Sequence, residues 1–448
     1  MKACLRTTTI LAGTVFAASA MAQTAGPKAP FTAYIDGDAQ TYIGVQSGTR
    51  NNGTSQPVTA PAVNSHGRAL GMLNNAEIRF TFEGKADNGL TYGWFGRMGG
   101  ASDTITFNGW SIDREDLYFK DRNWGTLQLG NNSSAGKGGF PYTQCDYGPL
   151  ENVSSLCPDG GSEQLLMSDP NALAMDGVLV HLGADGPLSR GRAMGLYYQS
   201  PNLNGLVFRA DYGPDGQSRN EEQFVTTTSA TAQTISTKSG SKMMNIATAS
   251  AMYQWAAGDW SGIMGAGIST GQGKKIYTTL GEQQAISDML GYFGGASVQW
   301  RDWRIAANYT WKGKSMQLEN PTAAAPTGPV NVNHPTSWGY SLMLEQYSYA
   351  IYQPDDKGPT GGDWGYGFWY QYARDAGPFT SNGIWEINYF GLGGGYWIAP
   401  GLQVFTEAFY YNDYNTHPSS NNGGFVGTAA NQRNPRGQIY FAGVSVEW

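Results

Sequence analysis

Hydrophobic and polar residues alternate with a period of two along much of this chain. In "NAEIRFTFEGKADNGLTYGWFGRM", Ala76, Ile78, Phe80 and Phe82 share one parity, and Glu77, Arg79, Thr81 and Glu83 take the other. After "ADNG", Leu90, Tyr92, Trp94 and Met98 stand against Thr91 and Arg97. Such alternation on both sides of Asn-Gly predicts a β-hairpin, because that dipeptide tolerates the positive φ of a tight turn. "GLVFRADY" repeats the pattern, with Leu206, Phe208, Ala210 and Tyr212 against Arg209 and Asp211. Near the start, Phe31, Ala33, Ile35, Ala39, Ile43 and Val45 form one face, and Asp36, Asp38 and Gln40 the other. "GQIYFAGVSVEW" closes the sequence as a further strand, with Tyr440, Ala442, Val444, Val446 and Trp448 opposed by Ser445 and Glu447.

The connectors between these segments sort by length. Short ones fall near 86–90, 121–126, 200–205, 256–260, 301–303, 353–363 and 398–401. Long ones fall near 47–73, 101–109, 131–186, 213–244, 271–285, 312–337, 375–383 and 413–437. They alternate from end to end, which predicts about sixteen antiparallel strands. A soluble β-sandwich has no reason to sort its loops in this way. A transmembrane barrel does, with short turns on the periplasmic side and long loops outside. Trp124, Trp255, Trp260, Trp300, Trp303, Trp364 and Trp397 flank short connectors, and Trp448 ends the last strand. Aromatic residues gathered at one edge predict an interfacial girdle. In hydrocarbon every backbone N–H and C=O needs a partner, so the last strand is expected to pair with the first.

Composition agrees with an all-β membrane protein. Of 448 residues, 62 are Gly, 13% are aromatic and only 14% are charged. The mean hydropathy of −0.39 leaves no room for helical spans. "MKACLRTTTILAGTVFAASAMA" has Lys2 and Arg6, then an uncharged run to an Ala20-Met21-Ala22 cleavage site. It predicts a signal peptide over 1–22 and a barrel over 23–448. The first strand then starts soon after Gln23, leaving no room for the plug of an energised transporter. The whole chain carries 28 Lys and Arg against 35 Asp and Glu; losing Lys2 and Arg6 leaves 26 against 35, a charge of −9. An acidic chain without a basic cluster is a poor nucleic-acid binder.

Motifs for chemistry are weak. "GAGISTGQGKK" lacks the first Gly of a phosphate loop, since Ile268 stands there, and Lys275 replaces its Ser or Thr. "GLGGG", with Gly391 and Gly393–Gly395, reads as strand glycines relieving crowding. His66, His181, His334 and His417 lie in or near long connectors with no paired spacing. No enzyme, metal or cofactor is expected from these residues.

"YYQSPNLNGLVFRADYGPDG", "DLYFKDRNWGTLQLGNN" and "GLGGGYWIAPGLQVFTEAFYYN" resemble hairpins of the Gram-negative general porins. So does the final aromatic strand, which resembles the signal read by the barrel-assembly machinery; Trp448 takes the place of the usual Phe. The resemblance covers essentially all of 23–448. It implies a homotrimer of sixteen-stranded, water-filled barrels in the outer membrane, among lipid and lipopolysaccharide. It also implies a third long loop folded into each pore, and passive diffusion of small hydrophilic solutes and ions. A porin selective for sugars or organic anions is the alternative, and a binding protein built on the long loops is a third reading.

Polar parity places Arg79, Arg97 and Arg209 in the lumen. Arg114 joins them, because Leu117 and Phe119 take the lipid parity. General porins set such a cluster opposite carboxylates of the inward loop; here the candidates are Asp146, Glu151, Asp159 and Glu163. The competing reading pairs the arginines with wall acids such as Glu77 and Glu83. With a charge of −9, a weak preference for cations is expected.

Cys4 leaves with the signal, so Cys145 and Cys157 remain, both in the third long connector. In an oxidising compartment a local disulfide is expected, worth about 3 kcal/mol in the chain-entropy picture. Alkylation before reduction, read by mass spectrometry, is expected to find both thiols protected; two alkylated cysteines refute the pairing.

Overall fold

The computed structural model describes residues 31–49, 70–101, 111–131, 194–215, 224–229, 232–237, 243–273, 275–277, 283–285, 287–315, 336–349, 359–375, 385–415 and 436–448. Strands β1 (Phe31–Thr49), β2 (Leu70–Lys85), β3 (Thr91–Ala101), β4 (Ser111–Asp121) and β5 (Gly125–Asn131) come first. They are followed by β6 (Met194–Gln199), β7 (Leu206–Asp215), β8 (Phe224–Ser229), β9 (Ala232–Thr237) and β10 (Met243–Ala257). Next come β11 (Trp260–Gly273), β12 (Lys275–Tyr277), β13 (Gln283–Ala285), β14 (Met289–Trp300) and β15 (Trp303–Gly313). The last are β16 (Ser337–Tyr347), β17 (Trp364–Asp375), β18 (Trp385–Ala399), β19 (Leu402–Asn415) and β20 (Arg436–Glu447). Sixteen of them form one closed antiparallel barrel; β8–β9 and β12–β13 are two-stranded hairpins within long connectors.

Every barrel strand pairs with its barrel neighbour in sequence, and β20 returns to β1 with Asp38 opposite Glu447 and Thr49 opposite Arg436. Beyond that ladder, Gly37 N–H donates to the Trp448 carbonyl at 3.1 Å and Trp448 N–H donates to the Gly37 carbonyl at 3.0 Å. The seam is therefore bonded out to residue 448.

The expected alternation of connector lengths fails at one place. The connection from β16 to β17, expected to be short over 353–363, spans 348–363 and is longer than the connections 102–110 and 376–384 on the long-loop side, because β16 stops at Tyr347. Its exit is tied down by Asp363, which accepts from the Thr360 N–H at 2.6 Å and the Thr360 hydroxyl at 2.8 Å, while Ser348 Oγ donates to its other oxygen at 2.9 Å. The Thr360 N–H, first among these, holds the Asp363 carboxyl below its ordinary range. The "ADNG" turn forms as its sequence demands. Gly89 takes φ 89°, its N–H donates to the Ala86 carbonyl at 2.9 Å, and Asn88 Oδ1 accepts from Leu90 N–H at 3.1 Å.

Faces follow parity. On β15, Ile305 is 63% exposed, while Arg304 and Ala306 on either side are 0% and 3% exposed. Outward residues are mostly apolar, including Phe31, Ile35, Phe208, Leu342, Phe390 and Val444, all exposed. A continuous outward apolar band around a closed sheet suits hydrocarbon rather than water. At the short-turn edge Trp124, Trp260, Trp300, Trp303, Trp364 and Trp448 are exposed, and Trp260 and Trp300 sit 6.0 Å apart. Trp397 departs from the expected girdle. Its parity on β18 is that of Gly391 and Gly393, inside the barrel, where it is buried against Tyr349 at 5.3 Å.

The glycine run of β18 also explains itself. Gly391 lies opposite Trp369 of β17, and a Cβ there would collide with the Trp369 indole, which is buried in the wall. Gly395 does the same for Gln403 of β19. Glycines facing the lumen let large side chains lie flat along the wall.

Replacing Trp448 by Asp is expected to lower the yield of folded barrel, because it puts a charge at the membrane edge of the seam. Heat-modifiable migration on gels checks this; a wild-type amount of folded barrel would contradict it.

Candidate functional site: the charged lumen wall

Strand register brings three of the four predicted arginines together. Asp36 of β1 lies opposite Arg79 of β2, Arg79 opposite Arg97 of β3, and Arg97 opposite Arg114 of β4. Like charges on adjacent strands repel unless countered, and here carboxylates intervene. Arg79 bonds Asp36 at 3.1 Å, Asp38 at 2.6 Å and Glu77 at 2.6 Å. The other oxygen of Glu77 holds Arg97 at 3.0 Å. Arg114 places its guanidinium 5.1 Å from the centre of the Phe95 ring. Pairing with wall acids, one of the two readings left open by the sequence, therefore holds for Arg79 and Arg97. Asp36 and Asp38 were legible as lumen residues, but their role as partners needed the register.

Below this row, toward the short turns, runs another: Glu83, Gly93, Tyr118, Gln128, Tyr197 and Asp211. Tyr118 lies across Gly93 and donates to Glu83 at 3.0 Å, so Glu83 serves Tyr118 rather than an arginine of the row above. The next row is Lys85, Thr91, Lys120, Thr126, Gln199 and Arg209. Arg209 thus belongs to a different tier from the other three arginines. Its Nε donates to Gln199 at 3.0 Å, and Tyr197, beside it, is subject to the charges of both Arg209 and Arg114.

The far wall carries a feature that alternation alone did not single out. Arg304 of β15 and Glu345 of β16 are opposite each other, ion-paired and without side-chain exposure. The Arg304 guanidinium sits 5.3 Å from the centre of the Tyr347 ring. In register the row continues through Gly367 and Gly393 to Glu407, which is also buried. The Glu345 side chain leans over Gly367, where a Cβ would meet it. Arg304 shares parity with Ala306 and Thr310, so its inward direction was readable, but its pairing across 41 residues of sequence was not.

Asp146, Glu151, Asp159, Glu163, Cys145 and Cys157 lie outside the described residues, as do the inward fold of their loop and the signal segment. Among the described residues no cluster of His, Cys, Asp and Glu could hold a metal ion.

A closed barrel with an apolar outer band, an aromatic edge and a charged interior is a transmembrane channel. The chain matches the Gram-negative porin family over residues 7–417 and belongs to it. Its place is accordingly the outer membrane. Similar solved structures include the loop L8 deletion mutant of OmpT, an outer membrane protein of Vibrio cholerae, at 11% identity and TM-score 0.50, covering 93% of this chain and 99% of that one. Salmonella typhi OmpF in complex with daunomycin is similar at 13% identity and TM-score 0.50, covering 93% and 97%. An anion-selective porin from Comamonas acidovorans matches at 13% identity and TM-score 0.48, covering 94% and 100%. No curated protein sequence matches the chain.

Removing one member of a buried ion pair leaves the other uncompensated, at a cost of about 3–5 kcal/mol. Glu345→Ala is therefore expected to lower the urea midpoint of the barrel in lipid vesicles, followed by tryptophan fluorescence. Arg304→Met with Glu345→Met together is expected to lose less than Glu345→Ala alone; an unchanged midpoint in Glu345→Ala would show that the pair carries no stability.

Proposed function

We propose that this porin passes small hydrophilic solutes and ions by passive diffusion, with Arg79, Arg97 and Arg114 on one wall of its constriction. The observation that carries this reading is the cross-strand row of three arginines facing the lumen of a closed barrel. Asp146, Glu151, Asp159 and Glu163 of the third long connector supply the opposing carboxylates. Opposed charge across a narrow aqueous gap orients polar solutes, whereas apolar ones must displace ordered water. The side chains do no bond-breaking chemistry. Residues 1–22 direct export and are removed, and the aromatic end of β20 is read by the assembly machinery.

The working form is a homotrimer. In the middle of β4, Glu115 shares parity with the outward Leu117 and Phe119 and lies opposite Gly96. Among the described residues it has no ion pair. A charged side chain facing hydrocarbon is destabilising, whereas the same carboxylate covered by a neighbouring copy can be hydrogen-bonded.

The test is the reversal potential of single channels in a salt gradient. Arg79→Ser with Arg97→Ser uncovers Asp36, Asp38 and Glu77, so conductance and cation preference are both expected to rise. Asp146→Asn with Glu151→Gln is expected to shift preference toward anions. Wild-type reversal potentials in both double variants would remove these residues from the constriction.

A further inference from the structure

Three short turns, 86–90, 122–124 and 200–205, border a cleft of about 680 Å³ at the short-turn mouth of the barrel. Lys85, Lys120 and Arg122 line it, and Asp121 is the single acid among its lining residues. Lys85 and Lys120 come from the lowest lumen row, so the cleft opens on the inner side of the rim.

The charge balance here differs from that of the arginine row above. There, Asp36, Asp38 and Glu77 answer the guanidinium groups. Here, neither Lys85 nor Arg122 has an acidic partner among the described residues. Lys120 reaches Glu83 only at 4.0 Å and sits 4.5 Å from the centre of the Tyr118 ring. Asp121 is engaged in its own turn, accepting from Asn123 N–H at 2.7 Å. The cleft therefore holds a local excess of positive charge.

Three of its four amide side chains, those of Asn88, Asn202 and Gln199, are arranged in the same sense. Asn88 Oδ1 accepts from Leu90 N–H at 3.1 Å, and Asn202 Oδ1 accepts from Gly205 N–H at 2.6 Å. Gln199 Oε1 accepts from both Arg209 and Tyr197, each at 3.0 Å. In all three the carbonyl oxygen is held by a donor of the protein, twice over in Gln199, and the NH₂ group is the side chain's donor. Three cations and three amide donors around one hollow favour a ligand made of acceptors. Thr91 of the intervening strand separates Lys85 from Lys120 in the register, and Arg122 follows Lys120 in the β4–β5 turn, so a ligand with several phosphate or carboxylate groups engages all three more fully than a single small anion does.

We propose that this cleft binds a small soluble polyanion, bearing two or more phosphate or carboxylate groups, at the periplasmic mouth of the channel. The site would retain such a solute as it leaves or enters the lumen from that side.

The probe is tripolyphosphate, added to either side of a planar bilayer holding channels of one orientation. Block is expected at lower concentration from the short-turn side than from the long-loop side. Lys85→Gln with Lys120→Gln and Arg122→Gln is expected to raise the blocking concentration by roughly tenfold or more, given the strength of hydrogen bonds to charged groups. Arg301→Gln, on another short turn and paired with Asp259 at 3.0 Å, is expected to leave block unchanged. Equal block from both sides, or wild-type block of a triple variant with native conductance, overturns the proposal. Calorimetric titration of tripolyphosphate into the folded, detergent-held barrel reads the site without conduction, so a failure of the diffusion reading stays separate. Binding lost in the triple variant supports the site, and no binding by the wild type overturns it.

Discussion

Everything in this molecule follows from the rule that backbone polar groups cannot be left bare in hydrocarbon. One sheet edge would expose a row of unpaired N–H and C=O groups, each costing several kcal/mol. The β1–β20 seam removes both edges at once, and its reciprocal Gly37–Trp448 bonds extend it to the last residue of β20's run. Gly37 suits that place, since a Cβ there would meet the Glu77 carbonyl and crowd the Trp448 ring. Closure then imposes the rest: two faces per strand, one for lipid and one for the lumen.

The lumen face is not uniform. Along β1–β7 much of its charge has water access, Arg79 and Lys120 keeping about a third and a half of their side-chain surface exposed, although Asp116 and Asp211 there are buried. Along β15–β19 it is packed: Arg304, Glu345, Tyr347, Trp369 and Glu407 are all buried. Glycines at 367, 391 and 395 make that packing possible by leaving hollows under Glu345, Trp369 and Gln403. The same residue type thus thins the wall on one side so that side chains can thicken it.

Alternation and turn chemistry made the barrel legible from the sequence, because a period of two and an Asn-Gly turn are local signals. The closing of β20 on β1 was legible for a different reason, as the only arrangement hydrocarbon permits. Register was not legible. Parity put Arg79, Arg97, Arg114 and Arg209 on the inside, yet only the pairing of strands shows that Arg209 stands with Lys85 and Lys120. Trp397 was misplaced because proximity to a turn cannot tell which face a residue takes; counting parity from Gly391 would have done so. The pairing of Arg304 with Glu345 joins residues on strands separated by a long connector, and no local pattern reports that.

The buried far wall bears on how this channel's charge is to be counted. Mobile ions respond to fixed charges they can approach and screen. Arg304, Glu345 and Glu407 are shut away from water, so salt in the channel cannot crowd around them as it does around Asp36 or Lys120. The formal charge of the chain therefore overstates the number of groups a permeating ion meets. Ion preference will track the wet sector of β1–β7, and its dependence on salt concentration becomes a gauge of how many charges stand in that sector.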